Sequence, residues 1–320
     1  MACQETFKTD SGVSGIFIIA REFMNRQRML VTGAGGMVGS YVPEVFSDYD
    51  LVLTDTVVGF PNLDVRDPTS VKKAVAETKP DVVLHLAAAT DVDRCEQEPD
   101  WAYHNNAVGT QNVALACQAL DVVMVYISTA GVFWGDKPEP YNEFDVPNPA
   151  NVYGHSKLAG EHIVTSLLKR FYVVRAGWMI GGGSRDKKFV GIIARMILEG
   201  KNPLRIVSDK IGTPTYAKDL LKGIHRLLET GYYGLYHMAN KGTCSRYDVA
   251  MELRRILGRP KVEMLPVSSA YFPLPAPRAH SEAMRNLKLE LLGLDGMRPW
   301  QDALGEYVTT ELFPALTSSR

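Results

Sequence analysis

The sequence predicts an α/β protein built on a doubly wound parallel sheet, with a smaller C-terminal lobe. Three observations carry this expectation. Short apolar runs alternate with helix-length segments through the first half of the 320-residue chain, the pattern of a parallel sheet covered on both faces. The first run, Met29–Val31, leads straight into a glycine-rich turn that opens toward a helix. After about Gly177 the alternation loosens, and a stretch with three prolines, Phe272–Arg278, cannot be regular structure.

The elements follow in order. Met29–Val31 is a buried strand, Thr32–Gly39 the turn, and Val42, Val45 and Phe46 begin a helix. Leu51–Leu53 reads as the second strand, ending at Thr54-Asp55, and Val71–Ala76 as part of a helix. Asp81–Leu86 is a further strand, a long helix covers about 101–120, and Val122–Ser128 is a strand again. A helix over about 151–169 precedes the strand Tyr172–Arg175. Helices are expected near 188–199, 216–228, 245–257 and 300–312, with a strand at Gly234–Met238. This divides the chain into an extension (1–28), a Rossmann-type nucleotide-binding domain (29–177) and a mainly substrate-binding lobe (178–320), from which about 234–240 returns to the first sheet.

Composition narrows the class. A hydrophobic fraction of 46% and a charged fraction of 22% are ordinary for a globular protein. A net charge of −1 argues against a nucleic-acid partner. Cys3, Cys95, Cys117 and Cys244 are widely spaced, as reduced thiols of a cytoplasmic protein are. Ile16–Ala20 is too short to span a bilayer and lacks the flanks of a secretory signal, so no membrane association is expected. Met24 is an alternative start. No Cys/His cluster or HExxH pattern points to a metal.

The turn gives the first chemistry. Gly33, Gly36 and Gly39, with Met37 and Val38 between them, form G-x-x-G-x-x-G between strand and helix. Backbone N–H groups left unpaired there suit a pyrophosphate. Asp55 closes the second strand at the offset of about 20 residues expected of a carboxylate on the adenosine ribose. An acid there repels a 2′-phosphate, so NAD(H) is favoured, with NADP(H) as the alternative. Asp64 and Val65 are placed to meet the adenine. Ala87, Ala88 and Ala89 offer small side chains where a cofactor passes close to backbone.

Tyr153 and Lys157 stand four apart, on one face of a helix, beyond the strand end Ser128-Thr129. Reducing a carbonyl creates an alkoxide that needs a proton donor and hydrogen-bond stabilisation. A Lys cation ~5 Å from the tyrosine, at an effective dielectric of ~20, favours phenolate by roughly 3 kcal/mol, or about two pKa units. The expected roles are Tyr153 as acid, Lys157 as its tuning cation and a nicotinamide-ribose ligand, and Thr129 as the hydroxyl on the carbonyl oxygen. His85 reads as a satisfied strand histidine, and His155 points off the Tyr153 face.

Together these motifs resemble the extended short-chain dehydrogenase/reductases. The stretch Ala87–Glu96, Asn151–Glu161, Val174-Arg175 with Trp178, Asp209–Tyr216 with Asp219-Leu220, and Pro277-Arg278 with Ser281 and Lys288-Leu289 is similar to the dTDP-4-dehydrorhamnose reductase family. The resemblance covers residues 29 to 312. It implies Thr129, Tyr153 and Lys157 as the catalytic set, with Ser128, Tyr153 and Lys157 on the cofactor. It also implies Thr90, Trp178 and Arg278 on a nucleotide-sugar substrate, and leaves a homodimer open. The implied reaction is reduction of a 4-keto-6-deoxy nucleotide sugar, dTDP-4-dehydro-L-rhamnose to dTDP-L-rhamnose. Two departures stand out. Thr129-Ala130-Gly131 replaces the family's Thr-Asp-Tyr, and Tyr41 occupies the position of a glutamate that binds magnesium in some dimers, so no metal is carried over. Ala130-Gly131 also lacks the Asp-Glu pair of a 4,6-dehydratase. A nucleotide-sugar epimerase, or a non-catalytic NAD(P)-binding regulatory subunit like that of methionine adenosyltransferase, are the alternative functions.

Overall fold

Successive side chains of a strand point to opposite faces, and the strands here are apolar on both. In β1 (Arg28–Thr32), Met29 and Val31 join one core while Leu30 joins another. The same split recurs in β3 (below), where Leu84 faces the first layer and Val83 the second. The chain is seen here as a computed structural model, which describes residues 26–317. Met24, Ile16–Ala20, Cys3 and most of the expected extension lie outside the described residues.

In chain order the strands are β1, β2 (Asp50–Thr54), β3 (Val82–His85), β4 (Val123–Thr129), β5 (Phe171–Ala176), β6 (Trp178–Ile180), β7 (Leu204–Val207), β8 (Ile211–Gly212), β9 (Pro214–Tyr216), β10 (Gly234–His237), β11 (Cys244–Ser245), β12 (Met264–Val267) and β13 (Ser281–Glu282). Six of them make one parallel sheet in the order β10-β5-β4-β3-β1-β2. The helix Ala217–Thr230 covers one face through Leu220, Leu221, Ile224 and Leu227. Helices Pro68–Thr78, Gly109–Leu120 and Val152–Leu167 cover the other through Val71, Val75, Val113 and Val164. From β2 the chain crosses over β1 to reach β3. The order reverses between β1 and β3, and a crevice opens at their carboxyl ends, where ligands of such sheets bind.

Several elements differ from the sequence reading. The helix after the glycine turn is only a 3-10 turn, Gly39–Tyr41, followed by Val42–Val45. β2 starts at Asp50, so the chain has no length for more. Its dipole is correspondingly small, so an anion held here would rely on backbone N–H groups beyond Gly36, those of Ala34, Gly35 and Gly36 being taken by Thr54, Asp55 and Gly33. The expected helix over 101–120 is broken by a π-helical turn at His104–Val108. Another follows Trp300–Tyr307 at Val308–Leu312. Strands β6 to β9 and β11 to β13 have two to four residues each, too short to leave a periodic signal. No helix among the described residues is long and apolar enough to cross a membrane.

Candidate active site

The glycine turn closes over the β1–β3 crevice. Gly33 takes φ +73°, and a Cβ there would sit 2.6 Å from the Ala87 backbone nitrogen. Only glycine lets the turn lie this close to the chain leaving β3. At Gly39 a Cβ would sit 2.3 Å from the Ala34 carbonyl oxygen, whereas at Gly36 it would meet only the Gly33 carbonyl oxygen, at 3.3 Å. Gly36 therefore presents bare backbone on an open side, as approach by a pyrophosphate requires. Met37 packs beside Gly182, and Val38 is partly buried against the main core. Asp55 stands at the rim. Its Oδ2 accepts the Gly35 N–H at 2.8 Å, and its Oδ1 accepts the N–H groups of Thr56 and Val57 at 2.6 and 3.2 Å. The carboxylate is thus oriented by the turn itself.

The neighbouring residues divide. Ala87 and Ala88 are half-buried beside the turn. Ala89 is buried, its N–H and C=O both held by the Asn106 amide at 2.8 and 3.0 Å. Asp64 forms a bidentate pair with Arg66, which holds its carboxyl below the usual range. The Val65 side chain lies in the second core, packed on Gly109, and its carbonyl takes the Asn112 amide.

The helix Val152–Leu167 is pressed against the end of β4. Asn151 caps it by accepting the Gly154 N–H at 2.9 Å, a contact worth about 1 kcal/mol. A Cβ on Gly154 would lie 2.2 Å from the Gly131 carbonyl oxygen, and one on Gly160 would lie 2.3 Å from the Tyr126 hydroxyl. These two glycines flank Tyr153 and Lys157 and let their helix lie directly on Gly131 and Tyr126. The Thr129 oxygen accepts the Gly131 N–H at 3.0 Å, so its O–H remains to donate. It reaches the Tyr153 oxygen, and this lowers a phenol that burial pushes up to about 12. Lys157 is buried with its Nζ 4.1 Å above the Tyr126 ring. Burial brings it down to about 7, against the pull of Glu161. The electrostatics therefore differ from the sequence argument, which ignored desolvation: burial keeps the proton on Tyr153 and weakens the cation at Lys157.

Beneath these residues lies a buried ion pair. The Arg175 guanidinium donates to both Glu161 oxygens at 2.8 and 2.6 Å, and each side chain is 3% exposed. Ser128 Oγ donates to Glu161 at 2.5 Å. The Ser128 hydroxyl is thus turned to this pair, and ties β4 to the helix. His85 is buried, with Nδ1 2.7 Å from Thr32 and Nε2 3.2 Å from Thr110, and burial pushes it down to about 3. It is a structural histidine of the strand. His155 is exposed.

On the substrate side, Trp178 is buried at the start of β6. Its Nε1 donates to Glu282 at 2.6 Å, and the Arg246 guanidinium lies 3.7 Å over its ring. Arg278 donates to Asp93 at 2.9 Å and to the Ala276 carbonyl, pinning the proline-rich stretch to the edge of the nucleotide-binding half. Thr90 is exposed at the end of the alanine run. Tyr41 serves the loop over the turn: it accepts the Gly182 N–H at 2.7 Å and donates to Glu311.

Sequence reasoning missed Asn106, Glu161, Arg175, Arg246 and Glu282. Asn106 had a signal. It falls on the apolar face of its helix with Ala102, Thr110 and Val113, and a buried amide there needs partners. The structure supplies Ala89 and, at 2.9 Å, Ser156.

A dinucleotide cradle at the switch point of a parallel sheet, with a Thr–Tyr–Lys set at the next strand end, defines an NAD(P)-dependent oxidoreductase of the extended short-chain dehydrogenase/reductase class. The model of the RmlD substrate binding domain matches residues 27–312, and the chain belongs to that family. A dTDP-4-dehydrorhamnose reductase of Mycolicibacterium smegmatis is 36% identical over 293 residues, covering 90% of this chain and 87% of the relative. The crystal structure of dTDP-4-dehydrorhamnose reductase from Bacillus anthracis, in complex with NADP, has 37% identity and a TM-score of 0.83, covering 88% and 99% of the two chains. The UDP-glucose 4-epimerase of Thermus thermophilus, in complex with NAD, has 25% identity and a TM-score of 0.77, covering 92% and 100%.

Proposed function

We propose that this chain reduces the C4 carbonyl of a nucleotide-activated 4-keto-6-deoxy sugar, dTDP-4-dehydro-L-rhamnose, to the alcohol. The observation that carries the reading is Thr129, at the end of β4, within hydrogen-bond reach of Tyr153, with Lys157 one turn further along the same helix. Residues 29–177 hold the cofactor and 178–320 shape the sugar side. Asp55 favours NADH, because a 2′-phosphate would face a carboxylate. Three buried free thiols, Cys95, Cys117 and Cys244, accord with a cytoplasmic setting.

The turn Gly33–Gly39 would hold the pyrophosphate, Asp55 the adenosine ribose and Lys157 the second ribose. When bound, the reduced nicotinamide supplies the hydride. The chain supplies the rest. With substrate bound, Thr129 would turn its one O–H from Tyr153 to the carbonyl oxygen and polarise it. Tyr153, kept protonated by burial, delivers its proton as the oxygen becomes an alkoxide. Lys157, one turn along the helix, would in its ammonium form offset the phenolate charge left on Tyr153. Ala89, fixed by Asn106, holds the wall opposite the helix.

Oxidation of NADH and NADPH against a panel of nucleotide 4-keto sugars, with products identified, tests the reading. Consumption with the dTDP-4-keto-6-deoxy sugar is expected. Folded protein that binds cofactor but consumes none with any of the panel would overturn it.

A further inference from the structure

Ala130 and Gly131 leave the wall beside Thr129 without a polar side chain. Across that gap stands a carboxylate from the other end of the chain. A Cβ on Gly131 would lie 3.3 Å from Thr129 Oγ1 and 3.6 Å from Glu282 Oε1. Glu282 is half-buried. Its Oε2 is committed to Trp178 Nε1 at 2.6 Å, while its Oε1 accepts no hydrogen bond among the described residues.

The carboxylate is held in place by its strand. β13 pairs with β8 with Glu282 opposite Gly212. A Cβ on Gly212 would sit 2.2 Å from Trp178 Cε2, so only glycine lets the indole lie flat on β8 with its N–H aimed at Glu282. Arg246 stacks on the ring at 3.7 Å. The same carboxylate also acts on the reacting groups: its charge opposes ionisation of Tyr153 and supports that of Arg246. An oriented, half-desolvated carboxylate oxygen lacking a donor, beside a hydroxyl placed on a carbonyl, fits a hydroxyl on the adjacent carbon. In a 4-keto-6-deoxy sugar the carbon next to the carbonyl that carries a hydroxyl is C3.

We propose that Glu282 is a specificity-determining residue of the sugar site, its Oε1 accepting a hydrogen bond from the C3 hydroxyl of the bound nucleotide sugar. The proposal rests on the reductase reading for the identity of the sugar. It adds a selection: sugars that keep the C3 hydroxyl bind, and 3-deoxy counterparts bind poorly.

The test measures binding in the presence of oxidised cofactor, using dTDP-L-rhamnose and its 3-deoxy counterpart on the full chain and on Glu282→Gln. The unmodified chain should prefer the hydroxylated sugar by about 10- to 100-fold, the range of a hydrogen bond to a charged group. In Glu282→Gln the preference should collapse through weaker binding of dTDP-L-rhamnose, with the 3-deoxy sugar unchanged. Equal affinity of the unmodified chain for both sugars, no binding of either, or equal weakening of both in Glu282→Gln would overturn the proposal. Because no turnover is needed, a chain that discriminates the two sugars yet reduces no keto sugar refutes the reductase reading alone.

Discussion

Replacing Glu161 by Gln removes one charge from a pair that is almost fully shielded from water. Arg175 would keep its guanidinium in the interior with its bidentate partner lost, and Ser128 would lose a charged acceptor. Breaking one side of a buried pair costs about 3–5 kcal/mol, a large share of a total stability of about 5–15 kcal/mol. At about 2 °C per kcal/mol for a chain of this size, the melting midpoint should fall by roughly 6–10 °C. Urea and thermal unfolding followed by circular dichroism measure this directly. Adding Arg175→Met removes the stranded charge and should recover most of the loss. A second effect separates this reasoning from general damage. Glu161 holds the Lys157 pKa up against burial, so the fall in rate as Lys157 loses its proton should begin at lower pH in Glu161→Gln. A stability loss below about 1 kcal/mol, or a double variant no better than the single, would refute the account of the pair.

Tyr153→Phe should lower turnover by about 10²- to 10⁴-fold, the usual contribution of a positioned acid, while fluorescence titration shows cofactor affinity nearly unchanged; near-normal turnover would remove Tyr153 from its role. Asp55→Ala should shift the kcat/KM ratio of NADH to NADPH toward NADPH by roughly tenfold, the scale of a charged hydrogen bond, and an unmoved ratio would show that Asp55 does not read the ribose. His85 and His237 are both pushed down to about 3 by burial, His237 also by Arg175. Unfolded imidazoles take up protons near pH 6.5, so the unfolded chain binds more protons between about pH 6.5 and 3, and stability falls as pH drops through that window. Denaturant midpoints across the range check this, and a chain carrying His85→Asn and His237→Phe should show a shallower decline.

The order of strands and longer helices in the nucleotide-binding half could be read because the strands are apolar on both faces and helices such as Pro68–Thr78, Gly109–Leu120 and Val152–Leu167 are long enough to show their stripe. The glycine turn, Asp55, Thr129, Tyr153 and Lys157 were equally legible, since each needs a particular residue type at a particular spacing. What escaped was set by pairing across long distances in sequence. Nothing local to Ser281-Glu282 says that a two-residue strand will carry a carboxylate to Gly131. Desolvation was the other blind spot: spacing placed Lys157 near Tyr153, but only the packing around the helix shows that Lys157 is buried. The turn of the Ser128 hydroxyl toward Glu161 and of the Val65 side chain into the core was hidden for a related reason. Adjacency in sequence to site residues does not say which way a strand turns its side chains.

β10, contributed by residues 234–237, completes the sheet only after the chain has left it at β5 and run through β6 to β9 and a long helix. A fragment ending near residue 177 would present the edge of β5, with buried Tyr172 and Val174, to solvent and to other copies of itself. During synthesis that edge stays open until some sixty further residues have emerged, so this is the interval in which the nascent chain is most exposed to aggregation. Exchange of sugar-binding lobes between relatives would have to respect the same interlacing. A single crossover after β5 strands an edge, whereas a graft that keeps residues 234–237 with the sheet preserves its last hydrogen-bonded row.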